Sequence, residues 1–301
     1  MPFTFSHPVA VLPLLRGLRG RGPLVASALV AGSMAPDLPF FAASWQPELY
    51  RGGTLTHRWW AVPTVDVALA AVLVGGWHLA LRRPLLGLLP PRWAAPAEAV
   101  TARRRTGWGT GRASGRATGY PAGRRAGYRA GHVTGPAGVA AFALSAAIGA
   151  ASHVGWDEFT HPGRAGGRLL PVLERRVGAV PLCVVAQYGG SAVALVGLLR
   201  YLDRELREVR ELPAPDDAPA PAPPILPQPV RRAAVLLAAG LGAAHRVARA
   251  RRLRRADGGG GHPSLIADLC FGGGAGVVTG AALLALADRL GNRRYLPQTF
   301  G

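Results

Sequence analysis

The chain has 301 residues, is 49% hydrophobic and carries a formal charge of +19. All 35 basic residues are arginine, and they lie between apolar stretches instead of on one face of a soluble domain, so no nucleic-acid partner is expected. Two cysteines, Cys183 and Cys270, both within apolar stretches, exclude a metal–thiolate site and a disulfide framework.

The opening MPFTFSHP lacks the basic start of a cleavable leader and is expected to be retained. Residues 9–18 and 24–34 are apolar but broken by Arg16, Arg19, Arg21 and Pro23. They predict a helical hairpin that enters the membrane, or two amphipathic surface helices. Crossing a bilayer takes about 20 mostly apolar residues. Stretches 61–81, 136–152, 177–199, 233–247 and 267–287 reach or approach that length, although the first contains Asp66 and the fourth is short. Between them, 103–135 repeats Gly, Arg, Ala and Thr, and 213–229 is rich in Pro and Ala. Neither composition can bury enough apolar surface to fold, so both read as disordered loops.

The expected architecture is therefore all-α: a polytopic membrane helical bundle of about 5–7 membrane helices with Arg/Gly-rich and Pro/Ala-rich loops. Its parts are an N-terminal hairpin and first membrane helix (1–97), a basic loop (98–135), a membrane core (136–201), a linker (202–232) and C-terminal membrane helices (233–301). The lipid bilayer is the obvious partner, with anionic headgroups met by the Arg-rich loops. The connectors 82–135 and 200–232 hold 11 and six arginines, which places them in the cytoplasm. The six arginines between Arg246 and Arg255 then fall on the opposite side, against that rule, unless 233–247 does not cross or lies along the interface.

Polar residues concentrate at one end of this topology. His7 precedes the first hairpin arm, Asp37 follows the second, and His57 precedes the first long apolar stretch. His153, Asp157 and His161 end the next one, in SHVGWDEFTHP. Four segments thus deliver six residues to one membrane face, expected to be extracytoplasmic. Helix rise puts His153 and His161 about 12 Å apart along the axis, too far to share an ion, whereas His153 and Asp157 stand one turn apart. The candidate ligand set is His7, Asp37, His57, His153 and Asp157, or some four of these, with His161 free to bind a second metal, contact substrate, cap the helix or protonate a leaving group. Nitrogen and oxygen donors suit zinc, manganese or iron, with zinc favoured. A buried polar network or an ion pathway remains open beside the metal reading. A hydroxyl precedes each of the four histidines. Ser6 and Thr56 are expected to cap helices, and Ser152 and Thr160 to orient the imidazoles. Trp156, Phe159, Phe40 and Phe41 read as interfacial anchors, and Glu158 as a weak general-base candidate.

The opening through His7-Pro8, Gly32-Ser-Met-Ala-Pro-Asp37, Thr56-His57, Ser152-His153-x-x-Trp156-Asp157-x-x-Thr160-His161 and the stretch 181–201 resemble a bacterial membrane family, domain of unknown function 4184. Distantly, the same order is similar to the inner-membrane metal-dependent hydrolase-like proteins. That likeness implies ligands at His7, Asp37, His57, His153 and Asp157. The chain departs from it in having a single Asp after Pro36 and Thr-His-Arg58 in place of a longer His-rich string. The activity expected is metal-dependent hydrolysis of a phosphoester or lipid-linked substrate at the membrane interface. The alternative is a non-enzymatic membrane protein with a structural or headgroup-binding cluster.

Overall fold

The structure is a computed structural model that describes residues 3–15, 24–101, 135–211, 225–256 and 265–294. Residues 102–134 of the basic loop, 212–224 of the Pro/Ala linker and the hairpin tip with Arg16, Arg19 and Arg21 lie outside the described residues. The protein is an all-α helical bundle. A 3-10 run, Thr4–Val11, leads into α1 (Leu12–Leu15) and then α2 (Ala26–Gly32). A 3-10 turn, Ala35–Asp37, joins α3 (Leu38–Ala42), and another, Pro47–Leu49, joins α4 (Tyr50–Thr56). Helix α5 (Val65–Gly76) continues through a π turn, Trp77–Leu81, into α6 (Arg82–Leu86), followed by α7 (Pro91–Thr101). Then come α8 (Gly135–Thr160), α9 (Ala165–Leu169), the 3-10 turn Pro171–Glu174, and a two-residue antiparallel pair, β1 (Arg176–Val177) with β2 (Val180–Pro181). Three long helices complete the chain: α10 (Leu182–Arg210), α11 (Gln228–Ala256) and α12 (Leu265–Arg294).

Four described segments are long and apolar enough to cross a membrane: Val65–Leu86, Gly135–Thr160, Leu182–Arg210 and Leu265–Gly291. Their outward faces carry bare aliphatic side chains, as at Val72, Val193 and Leu283, which is the pattern of a lipid-facing surface. The first span starts later than expected and runs further, because Thr64 precedes the helix proper and Asp66 falls in its first turn. The N-terminal arm departs more. Pro8 sits inside it and favours 3-10 winding over a regular α-helix, and Thr4–Leu15 is apolar but short of a crossing.

Small residues set the close packing. A Cβ on Gly32 would lie 2.1 Å from the Ala146 carbonyl oxygen, and one on Gly149 would lie 2.2 Å from that of Leu29. Backbone therefore meets backbone where α2 crosses α8, with Ala28, Ala31 and Ala146 fully or nearly buried beside it. The same device joins α11 to α12, where Gly242 and Gly272 approach each other's backbone.

Helix α11 settles how the C-terminal third is threaded. At its start, Gln228 donates to the carbonyls of Gly87 and Leu89, and Arg232 to that of Leu88, capping the turn after α6. Near its end, Arg246 and Arg249 reach Phe40 and Ala43. The stretch from Arg231 to Arg246 rises about 22 Å, so α11 runs from one end of the bundle to the other. The short apolar stretch 233–247 is only the middle of this longer helix. It does not lie flat across one end, and its arginine-rich C-terminal half stands at the end where His57 lies.

Candidate metal centre

Each candidate ligand is delivered by a helix end or turn at that end of the bundle. His7 comes from the N-terminal 3-10 run, Asp37 from the turn after α2, His57 from the residue that ends α4, and His153 and Asp157 from the last turns of α8. All five are buried, none more than 5% exposed. Their facing atoms converge. His57 Nε2 lies 3.6 Å from Asp37 Oδ1 and 3.3 Å from Asp157 Oδ2. His153 Nε2 lies 3.7 Å from Asp37 Oδ1 and 3.8 Å from Asp157 Oδ2. His7 Nε2 lies 3.9 Å from Asp157 Oδ1, and its ring stacks on that of His153 at a centroid distance of 3.6 Å.

Two overlapping groups have the spacing to hold a metal ion: His7, Asp37 and His153, and His57, His153 and Asp157. The hydrogen bonds say the same. The Nε2 atoms of His7, His57 and His153, with Asp37 Oδ1 and Asp157 Oδ1, are buried and make no hydrogen bond among the described residues. Leaving one such atom unpaired costs about 1–3 kcal/mol, and here five point inward together. A cation held by either group would give some of these atoms a partner.

The opposite ring nitrogens are tied down. His57 Nδ1–H donates to the Gly53 carbonyl at 2.7 Å, and His153 Nδ1–H to the Ser33 carbonyl at 2.7 Å. A carbonyl only accepts, so each neutral imidazole keeps its proton on Nδ1 and turns an Nε2 lone pair inward. Thr4 Oγ1 donates to Asp37 Oδ2 at 2.5 Å, leaving Oδ1 to the cluster. These partners were not foreseen. Two are backbone carbonyls, which residue identity does not advertise, and Thr4 is distant from Asp37 in sequence.

The preceding hydroxyls have other partners. Ser6, Thr56 and Ser152 donate to the carbonyls of Phe3, Pro36 and Gly149. Thr56 closes α4 and starts nothing, but its bond to Pro36 ties His57 to the Asp37 turn. Only Thr160 approaches its imidazole, at 3.4 Å, while donating to Trp156. Phe40 and Phe41 are not interfacial anchors: both pack inward on Phe271, and Phe40 lies against the His57 ring. Glu158 accepts the Ala165 N–H and pairs with Arg164, which fixes the turn after α8.

His161 stands outside both groups, just past the end of α8, with 19% of its side chain exposed. Its Nδ1 lies 3.1 Å from the Asp157 carbonyl and 3.6 Å from Asp157 Oδ1, and its Nε2 lies 3.3 Å from the Gln187 amide. Burial lowers its pKa to about 4 against the opposing pull of Asp157. Burial, reinforced by His153, also holds His7 well below the ordinary histidine value. Burial raises the Asp37 carboxyl, against the pull of His153 and His57. For His57 burial works against the charged form, but the carboxylates of Asp157 and Asp37 outweigh it and its pKa rises. Asp66, in the first turn of α5, is fully buried, and both its carboxylate oxygens lack a hydrogen bond among the described residues.

Fold and site together define a helical membrane protein with a buried His/Asp cluster that can take a metal ion. The family model called domain of unknown function (DUF4184) matches residues 1–286, and the chain belongs to that family. No curated protein and no solved structure matches it.

Proposed function

We propose that this protein is a metal-dependent hydrolase working at the membrane interface on a phosphoester or lipid-linked substrate. The observation that carries the reading is the convergence of five buried, unpaired donor atoms from four chain segments. His7, Asp37, His57, His153 and Asp157 would be the ligands. The ligand atoms of His57, His153 and Asp157, and those of His7, Asp37 and His153, lie close enough together for each trio to share one ion. Zinc is the favoured ion on the chemistry of these nitrogen and oxygen donors. A divalent ion held there supplies Lewis acidity, for activating water and for polarising an ester oxygen.

The chain's own groups would do the rest. The carbonyls of Gly53 and Ser33 hold two imidazoles in the ligating tautomer. His161, at the more open edge, would meet the substrate. It is neutral at pH 7 in the metal-free cluster, so donating a proton to a leaving group requires a substrate's negative charge to raise its pKa. Exposed Trp59 and Trp60 follow His57 closely in the chain, with Arg58 between them and that histidine. Tryptophan and arginine favour headgroup depth, which supports a substrate presented by the bilayer and contact with anionic headgroups. The extracytoplasmic face is the proposed location of this end.

Metal analysis of the purified protein tests the reading. The wild type should hold about one zinc per chain, the content of a single site, and a His57→Ala/His153→Ala double variant close to none. Equal, low metal in both would sink the hydrolase and leave the non-enzymatic alternative.

A further inference from the structure

The hairpin α11–α12 supplies none of the candidate ligands, yet it grips the segment that carries one and braces another. Arg246, 2% exposed, pairs with Asp268 across the hairpin, Nε to Oδ1 at 3.1 Å. Its Nη1 then leaves the hairpin and donates to the Phe40 carbonyl at 2.5 Å and to Ser44 Oγ at 2.9 Å. Ser44 Oγ donates in turn to the Phe271 carbonyl at 3.4 Å. One turn along, Arg249 donates to the Ala43 carbonyl at 2.6 Å. These contacts collect at the C-terminal end of α3, where carbonyls are left over and a cation is favoured.

Helix α3 begins directly after Asp37, so its position sets that carboxylate. The Phe40 side chain reaches the other ligand. Its ring centroid is 5.6 Å from that of His57, 4.9 Å from that of Tyr50 and 5.5 Å from that of Phe271. It fits only because Gly53 has no side chain: a Cβ there would lie 2.1 Å from the ring. Gly53 is also the residue whose carbonyl orients His57.

We propose that Arg246, anchored by Asp268, is a positioning residue for the metal centre. It fixes residues 38–44, and through them the Asp37 carboxylate and the Phe40 ring that backs the His57 imidazole. The proposal rests on the metal-binding reading of the cluster and extends it to a part of the chain that touches no ion.

Cobalt(II) is the probe, because its visible absorption reports ligand geometry as well as occupancy. Full-length protein in lipid nanodiscs is titrated, comparing wild type with Arg246→Met, Arg246→Lys and Phe40→Leu. The expected result is at least a tenfold loss of cobalt affinity with a changed spectrum in Arg246→Met. Arg246→Lys should recover part of both, and Phe40→Leu should shift the spectrum in the same sense. Should Arg246→Met not fold, the double variant Ser44→Ala/Arg249→Gln keeps the buried ion pair and removes two of the ties to α3. It should weaken cobalt binding at least threefold. Wild-type affinity and spectrum in whichever of these two variants folds would overturn the positioning role alone. A wild type that takes up no cobalt would overturn the metal reading itself.

Discussion

At the scale of single residues, the cluster is organised by what lies behind each ligand. Asp37 shows this most directly, because Thr4 occupies one carboxylate oxygen and leaves the other to the cluster. Thr4→Val keeps the shape and removes the donor. Loss of such an outer partner typically costs about 10–100-fold in metal affinity, and competition with a chelator should show a loss in that range. The titration of His57 makes a second prediction. Its pKa is raised above 6.5 in the metal-free cluster, so below that raised value an incoming ion must displace a proton. His7 is lowered and adds no proton of its own near neutrality. Metal affinity should therefore fall as pH is lowered from above that raised pKa to below it, with proton uptake on metal release, as calorimetry in two buffers can measure. A flat affinity across that range would contradict the charge state assigned to His57. The residues that converge in the cluster were legible in sequence, because histidine and aspartate at helix ends are chemically conspicuous. Their supports were not: Ser33 and Gly53 act through carbonyls that every residue possesses.

At the scale of elements, the seam between α2 and α8 is where packing and chemistry meet. Gly32 and Gly149 let the two backbones touch, and Ser33, next along α2, gives its carbonyl to His153 on α8. Gly149→Ala forces a methyl group into the Leu29 carbonyl, an overpacking that typically costs about 1–3 kcal/mol. Thermal unfolding in nanodiscs should register that loss together with reduced metal content, since separating the seam lengthens the Ser33–His153 bond. Gly240→Ala faces open space on α11 and should be neutral or slightly stabilising. Long apolar stretches announced the main helices, although α8 and α10 run on past residues 152 and 199 to Thr160 and Arg210. The N-terminal arm and α11 were harder to read for opposite reasons. Pro8 converts an apolar segment into 3-10 winding, and the arginines of α11 disguise a full-length helix as a short one.

At the scale of the whole molecule, the path of α11 changes how charge is distributed between the two ends. Arg246 to Arg255 stand at the same end as the cluster, and at least Arg246 and Arg249 are committed to holding residues 40–44. An arginine engaged in packing says little about the side of the membrane it faces, so a raw count misjudges this end. Orientation has a direct measurement. Glu48 is exposed in the turn that leads into α4, the helix that ends at His57, and Glu48→Cys should react with an impermeant maleimide in intact cells if that end is extracytoplasmic. Reaction only after permeabilisation would put the cluster in the cytoplasm. The four-segment origin of the cluster also has a consequence in time. His7, Asp37 and His57 leave the ribosome ahead of His153 and Asp157, with Asp157 100 positions after His57. Synthesis at about 5–20 residues per second makes that an interval of roughly 5–20 s. During it three ligands exist without the helix that completes their site, and the clamp from α11 arrives later still. On the metal-binding reading proposed above, loading waits for α8, and a nascent chain stalled before α8 should bind none.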